Sequence, residues 1–260
     1  MSSKPIGIFD SGAGGLSIWK EINALMPNES TLYISDSKYA PYGPKGSEFI
    51  IKRAKSSTEI LLKMGAKIIV VACNTATTNA ITYLRKNYPI PFVGIEPAIK
   101  PASFLTNSNS IGILATKGTL SSDLFHETCK KFAKNKTVIE QEGNGIVELI
   151  ESGGLHSLEM INLLKGYLSP MIKKNVDCIV LGCTHYHFLI PIIQKITPKK
   201  IKIIDSGKAI ALQTKNILKK KLMANSSANN VYNRFYTNGK IKTIAELMNW
   251  NKSKIELLKN

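Results

Sequence analysis

The sequence has no uninterrupted apolar run approaching the ~20 residues that a membrane span needs, and no basic stretch leading into an apolar one at its start. The expectation is a cytoplasmic chain with an intact N-terminus and no membrane contact. Cysteine is scarce: four occur, at positions 73, 129, 178 and 183, with no Cys-x-x-Cys pair. A chain of 260 residues does not need disulfide staples, so a reducing compartment is expected and each thiol must be core, nucleophile or base. Acidic residues are also few, with 18 Asp+Glu against 35 Lys+Arg and a formal charge of +17. Between Lys195 and Lys221, the residues Lys195, Lys199, Lys200, Lys202, Lys208, Lys215, Lys219, Lys220 and Lys221 meet only Asp205. No zinc-finger spacing or aromatic–basic RNA motif accompanies them, so the charge reads as a solvated surface. Such a surface draws small anions and makes weak, non-specific nucleic-acid contact. A hydrophobic fraction of 43% with 20% charged residues excludes a disordered chain.

What is present is alternation. Strand-like β-branched runs fall at Ile6–Asp10, Thr31–Asp36, Lys67–Ala72, Pro91–Ile95, Ser110–Ala115, Lys136–Glu140, Val176–Gly182 and Ile201–Asp205. Helical candidates lie between them, near Leu16–Leu25, Glu48–Met64, Thr77–Asn87, Ser122–Lys134, Leu158–Lys174 and Lys208–Leu222. This pattern predicts an α/β fold with parallel sheets and helices on both faces. A weak internal repeat divides it. Ile6-Gly7-Ile8-Phe9-Asp10-Ser11 is matched by Ile111-Gly112-Ile113-Leu114-Ala115-Thr116, and Ile68-Ile69-Val70-Val71-Ala72-Cys73-Asn74-Thr75 by Cys178-Ile179-Val180-Leu181-Gly182-Cys183-Thr184-His185. The two matches come in the same order. They predict two similar parallel-sheet α/β domains related by a pseudo-two-fold, with the active site in the cleft between them. Residues 1–96 plus 207–260 would form the first, carrying Cys73, and residues 97–206 the second, carrying Cys183.

Open α/β sheets bind ligands at the carboxyl ends of their strands, where Cys73 and Cys183 each stand. A thiol at a helix N-terminus is expected to have its pKa lowered from ~8.5. Cys129, within a helical pattern, and Cys178, inside a strand, read as small buried hydrophobes. Two thiols on matching loops of facing domains suit inversion at an amino-acid Cα, where one face loses a proton and the other gains one. Such a site must also stabilise a developing carbanion and exclude water. Turn backbone N–H groups, with Ser11, Asn74, Thr75, Thr116 and Thr184, are the candidate donors to substrate carboxylates.

Val71-Ala72-Cys73-Asn74-Thr75-Ala76 and Leu181-Gly182-Cys183-Thr184-His185-Tyr186 resemble the two cysteine motifs of glutamate racemases, in the aspartate/glutamate racemase superfamily. Phe9-Asp10-Ser11-Gly12-x-Gly14-Gly15-Leu16 is similar to the family's N-terminal motif, and Asp36-Ser37-x-x-x-Ala40-Pro41-Tyr42-Gly43 to its next loop. Ile95-Glu96-Pro97 and Asp205-Ser206-Gly207 also fit, so the likeness runs from Ile6 to about Leu247. It implies interconversion of L- and D-glutamate without pyridoxal phosphate, metal or nucleotide, supplying D-glutamate for peptidoglycan. By this resemblance Cys73 and Cys183 are the proton donor/acceptor pair, assisted by Asp10 and His185. Asp10-Ser11, Tyr42-Gly43, Asn74-Thr75 and Thr184-His185 line the substrate site. Glu151 is implied as an auxiliary acid/base group, beside its other reading as a surface helix carboxylate. Thr116 and Thr119 either contact a carboxylate or cap a strand-to-helix turn. A homodimer is expected, without the N-terminal extension linked in some relatives to activation by a cell-wall precursor.

Three rivals carry less. Gly12-x-Gly14 with Asp36 suggests a dinucleotide site, but Ser17 holds the third glycine position and Asp10 would repel a pyrophosphate. An aspartate racemase would share the chemistry, yet His185 after Cys183-Thr184 looks like the glutamate branch. Cys183, His185 and His187 lack the second ligand cluster that a catalytic zinc site draws on.

Overall fold

The computed structural model describes residues 3–225 and 230–258. Among these residues ten strands form two sheets in which every pairing is parallel. In chain order they are β1 (Ile6–Asp10), β2 (Thr31–Ser35), β3 (Ile68–Val71), β4 (Phe92–Gly94), β5 (Ser110–Ala115), β6 (Thr137–Glu142), β7 (Cys178–Gly182), β8 (Lys202–Ile204), β9 (Asn233–Thr237) and β10 (Ile255–Leu257). The first sheet runs β10-β9-β2-β1-β3-β4 and the second β6-β5-β7-β8.

The core explains why these runs are strands. β1, β3, β5 and β7 are buried along their whole length, as strands covered on both faces must be. Side chains alternate between faces. Ile6, Ile8, Ile68 and Val70 pack with Leu16, Ile22, Ile210 and Ile244 on one side of the first sheet, while Phe9, Ile69 and Val71 meet Ile50, Leu61 and Leu84 on the other. In the second sheet Leu114, Ile179 and Leu181 meet Met160, Leu164 and Leu168, while Ile111, Ile113 and Val180 meet Phe125 and Ala102. β6, at an edge, keeps partly exposed residues including Glu140 and Glu142.

The internal repeat is written into the register. Ile6 pairs with Ile68 in the first sheet, and their repeat partners Ile111 and Cys178 pair in the second. The order β2-β1-β3-β4 thus recurs as β6-β5-β7-β8, and β9 and β10 extend only the first sheet.

The carboxyl ends of β1 and β3 face those of β5 and β7 across a seam. The helix Asn74–Asn87 lies against Lys117–Leu120 and Asp123–Phe132, and the helix Leu16–Leu25 against the 3-10 segment Thr184–Leu189. At the side where the chain crosses twice between sheets, the Ser206 hydroxyl donates to the Glu96 carbonyl at 2.5 Å and ties the crossovers together. Among the described residues no helix is long and apolar enough to cross a membrane.

Candidate active site

Each thiol follows the last residues of a central strand. Cys73 is the N-cap of the helix Asn74–Asn87, its sulfur accepting from the Ala76 N–H at 3.4 Å. Cys183 precedes the 3-10 turn Thr184–Leu189, a tighter start than the helix after Cys73. The two sulfurs belong to different apolar cores, and a polar network spans the seam between them. Of the other cysteines, Cys178 is buried within β7 and Cys129 is half-buried on its helix, away from this network.

Around Cys73 the thiol donates to Ser11 Oγ at 3.3 Å, and that hydroxyl donates to Asp10 Oδ1 at 3.1 Å. Asp10, fully buried at the end of β1, also accepts from the backbone N–H of Ser11 at 2.6 Å and from that of Gly15. Across the seam the Thr184 hydroxyl donates to Asp10 Oδ2 at 3.0 Å. Around Cys183 the sulfur lies 3.8 Å from His185 Nδ1, and His185 Nε2 lies 2.7 Å from Glu151 Oε1. Glu151 ends the short helix Ile146–Glu151 and reaches back to the first sheet's loops. Its carboxylate accepts from Ala13 N–H at 2.6 Å and from Ser37 Oγ at 3.0 Å. Its carbonyl accepts from Thr243 Oγ1 at 2.8 Å.

Three threonine hydroxyls close the far side. Thr75 Oγ1 lies 2.7 Å from Thr116 Oγ1 and 3.3 Å from Thr119 Oγ1, and the last two are 3.2 Å apart. The Tyr42 hydroxyl donates to Asp36, so the group its loop brings to the seam is Gly43, where a Cβ would come 3.0 Å from Thr116 Cβ. Asn74 is 2% exposed, and neither its Oδ1 nor its Nδ2 has a hydrogen-bond partner among the described residues. A buried amide left unpaired costs on the order of 1–3 kcal/mol, which a ligand bonding to it would offset.

The electrostatics correct one expectation. The helix N-terminus was expected to lower the Cys73 pKa; instead burial, then the nearby Asp10, push the thiol well above its ordinary value. Bonds from Ser11 and the Ala76 N–H work the other way without prevailing. Desolvation at a site this deep exceeds the field of one helix terminus. Burial also raises Asp10, against the pull of His185 and Thr184. On the Cys183 side, burial opposes the charge on both members of the His185–Glu151 pair. Glu151 is nonetheless held low by His185, Ala13 and Ser37, and His185 well up by Cys183 and Glu151.

A histidine raised above its ordinary 6.5 contributes stability that is complete below that pH and lost as pH climbs through the raised value. A glutamate lowered from 4.5 contributes stability present above 4.5 and lost as pH falls through the lowered value. The pair is therefore fully stabilising between about pH 4.5 and 6.5. We expect ¹⁵N chemical shifts to show both His185 ring nitrogens protonated at pH 7, and Glu151→Gln to move that titration downward. A neutral imidazole at pH 7 in the unsubstituted protein would contradict the pairing.

Reading the sequence missed Ser37, Arg53 and Thr243. One signal was available: Asp-Ser recurs at the ends of β1, β2 and β8, as Asp10-Ser11, Asp36-Ser37 and Asp205-Ser206. Each buried or half-buried carboxylate there must gather donors.

The chain is similar to known racemases along most of its length. Residues 6–214 match the Asp/Glu/Hydantoin racemase family. A glutamate racemase of Ectopseudomonas mendocina is 44% identical over 249 residues, covering 95% of this chain and 94% of the relative. The crystal structure of Escherichia coli glutamate racemase in complex with L-glutamate and the activator UDP-MurNAc-Ala superposes with a TM-score of 0.87 at 32% identity, over 98% of both chains. That of glutamate racemase from Francisella tularensis in complex with D-glutamate gives 0.86 at 28% identity, over 100% of this chain and 98% of that one.

Proposed function

The chain belongs to the Asp/Glu/Hydantoin racemase family, and on that premise we propose that it interconverts L- and D-glutamate by proton transfer between Cys73, Cys183 and the substrate Cα. The observation that carries the reading is the buried amide of Asn74, without a hydrogen-bond partner among the described residues, next in the chain to Cys73 on a helix that packs against helices of the second sheet. The seam would be the cleft between residues 1–96 with 207–260 and residues 97–206.

In one direction a thiolate on one side takes the Cα proton, and the opposite thiol delivers its own proton to the other face. The enzyme then holds the reverse protonation pattern and is ready for the other enantiomer. Cys73 rests as a thiol, and the line from its sulfur through Ser11 Oγ to Asp10 gives its proton a route to a carboxylate whose own affinity for protons is raised. On the other side the His185 imidazolium, braced by Glu151, holds a proton 3.8 Å from the Cys183 sulfur. With His185 charged, Nε2 donates to Glu151, and the Gly14 backbone N–H lies 3.3 Å from the same nitrogen. Asn74, Thr75, Thr116 and Thr119 supply donors, with the backbone N–H of Gly43, while the Ser11 N–H and the Thr184 hydroxyl are engaged by Asp10. Donors fixed before the reaction stabilise the carbanion-like transition state without reorganising. The D-glutamate formed would serve peptidoglycan synthesis.

The test is incubation of the purified protein with L-glutamate in heavy water. D-glutamate carrying deuterium at Cα is the expected product. Unaltered substrate would overturn the proposal, and turnover of aspartate alone would reassign the substrate.

A further inference from the structure

We propose that Arg53, a residue of the helix Ser47–Lys63 that touches none of the catalytic groups, is a positioning residue for the racemase reaction: through Asp36 it sets the loop that presents Gly43 and Ser37 to the seam. The inference rests on the glutamate racemase reading. Asp36 follows β2 and is 1% exposed. Arg53 grips it with two bonds, Nε to Oδ2 at 2.8 Å and Nη2 to Oδ1 at 2.6 Å. The remaining capacity of each oxygen is taken by the Tyr42 hydroxyl and the Asn238 amide. The guanidinium plane also lies over the Tyr39 ring, 4.0 Å from its centre. One carboxylate thus gathers Tyr39, Tyr42 and the turn after β9 around the end of β2.

Two arms lead from this knot to the chemistry. Through Tyr42 the neighbouring Gly43 is pressed against Thr116, whose hydroxyl joins Thr75 and Thr119; a Cβ on Gly118 would come 2.9 Å from the Gly43 carbonyl. Through Ser37, next in the chain to Asp36, a hydroxyl reaches Glu151 Oε2 at 3.0 Å, and Glu151 holds His185 beside Cys183. The first arm shapes the surface that meets the substrate; the second touches a carboxylate already held by Ala13 and His185. The first should therefore dominate, and loss of the fork should weaken binding more than chemistry.

Lysine at position 53 keeps the charge but cannot make the planar fork or lie flat on Tyr39. For Arg53→Lys we expect KM for both enantiomers to rise about tenfold or more, with kcat within about threefold. Tyr42→Phe cuts the same link from the loop side and should raise KM likewise. The double variant should be little worse than the poorer single one, because both break one connection. Lys67→Met is the control for a merely structural role. It breaks a different buried pair, with Glu29 at 2.6 Å, at the opposite end of the same sheet, and should lower the melting temperature while leaving KM unchanged. An unchanged KM in Arg53→Lys and Tyr42→Phe, or an equal rise in Lys67→Met, would overturn the proposal. A lack of racemisation by the unsubstituted protein would instead overturn the functional reading, and this inference with it.

Discussion

Replacing Cys73 or Cys183 by serine should reduce racemisation by about a thousandfold or more, the scale on which a positioned acid or base contributes. A hydroxyl fits where a thiol fitted, so the fold should survive. What is lost is a group that can give and accept a proton within the range the site can drive. In the proposed mechanism removal and delivery are separate tasks on opposite faces, so neither thiol could substitute for the other. Each single variant is nevertheless expected to exchange the Cα proton of one enantiomer with solvent, because one base remains facing that enantiomer. Proton NMR in deuterium oxide distinguishes exchange from inversion in the same tube. Normal racemisation by both serine variants would refute the two-thiol mechanism.

Gly14→Ala should be the next most damaging change, for a reason that involves no chemical group. A Cβ there would lie 2.4 Å from His185 Nδ1, 2.6 Å from the His185 backbone nitrogen and 2.7 Å from Thr184 Oγ1. Rotation of a side chain relieves the first and third contacts but not the second, so the Gly14 loop must move away from the Cys183 loop. Such overpacking costs about 1–3 kcal/mol in stability. The larger effect is catalytic, since displacement by a fraction of an ångström in positioning groups can cost about a hundredfold in rate. Gly46→Ala is the comparison. Nothing lies within 4 Å of its Cβ position, so activity there should be unchanged. Equal activity in the two variants would show that the seam tolerates being wedged open.

Much of this fold was readable because its central strands carry redundant signals. β1, β3, β5 and β7 are apolar, β-branched, bounded by turn residues and repeated, and all four lie where the sequence indicates. The repeat even anticipates the pairing of Ile111 with Cys178 from that of Ile6 with Ile68. β9 and β10 were not legible. Asn233 and Arg234 break the apolar pattern of one, and the three residues of the other are too few to show a period. The helices Ile146–Glu151 and Ile241–Met248 are likewise too short to announce themselves.

The site divides in a similar way. Cys73-Asn74-Thr75 and Cys183-Thr184-His185 stand out because their chemistry is contiguous in the chain. Glu151 was ambiguous between a surface carboxylate and a functional one, since what distinguishes the two is a partner 34 residues away, at 2.7 Å from His185 Nε2. Arg53 was invisible for the same reason, as an arginine on a helix gives no sign of the carboxylate it will grip. The raised pKa of Cys73 is not legible in the sequence, because the helix terminus can be read there whereas the depth of burial and the approach of Asp10 cannot.

The matched strands set two unlike partners behind like sulfurs: a carboxyl and a hydroxyl for one, an imidazole and a second carboxylate for the other. Mirror-image forms of glutamate have equal energy in water, so the quotient kcat/KM must be the same in both directions whatever the protein does. The chemical lopsidedness of the frame can therefore never favour one hand at equilibrium. Its only outlet is the division of that common quotient, with one enantiomer bound more tightly and turned over more slowly than its reflection.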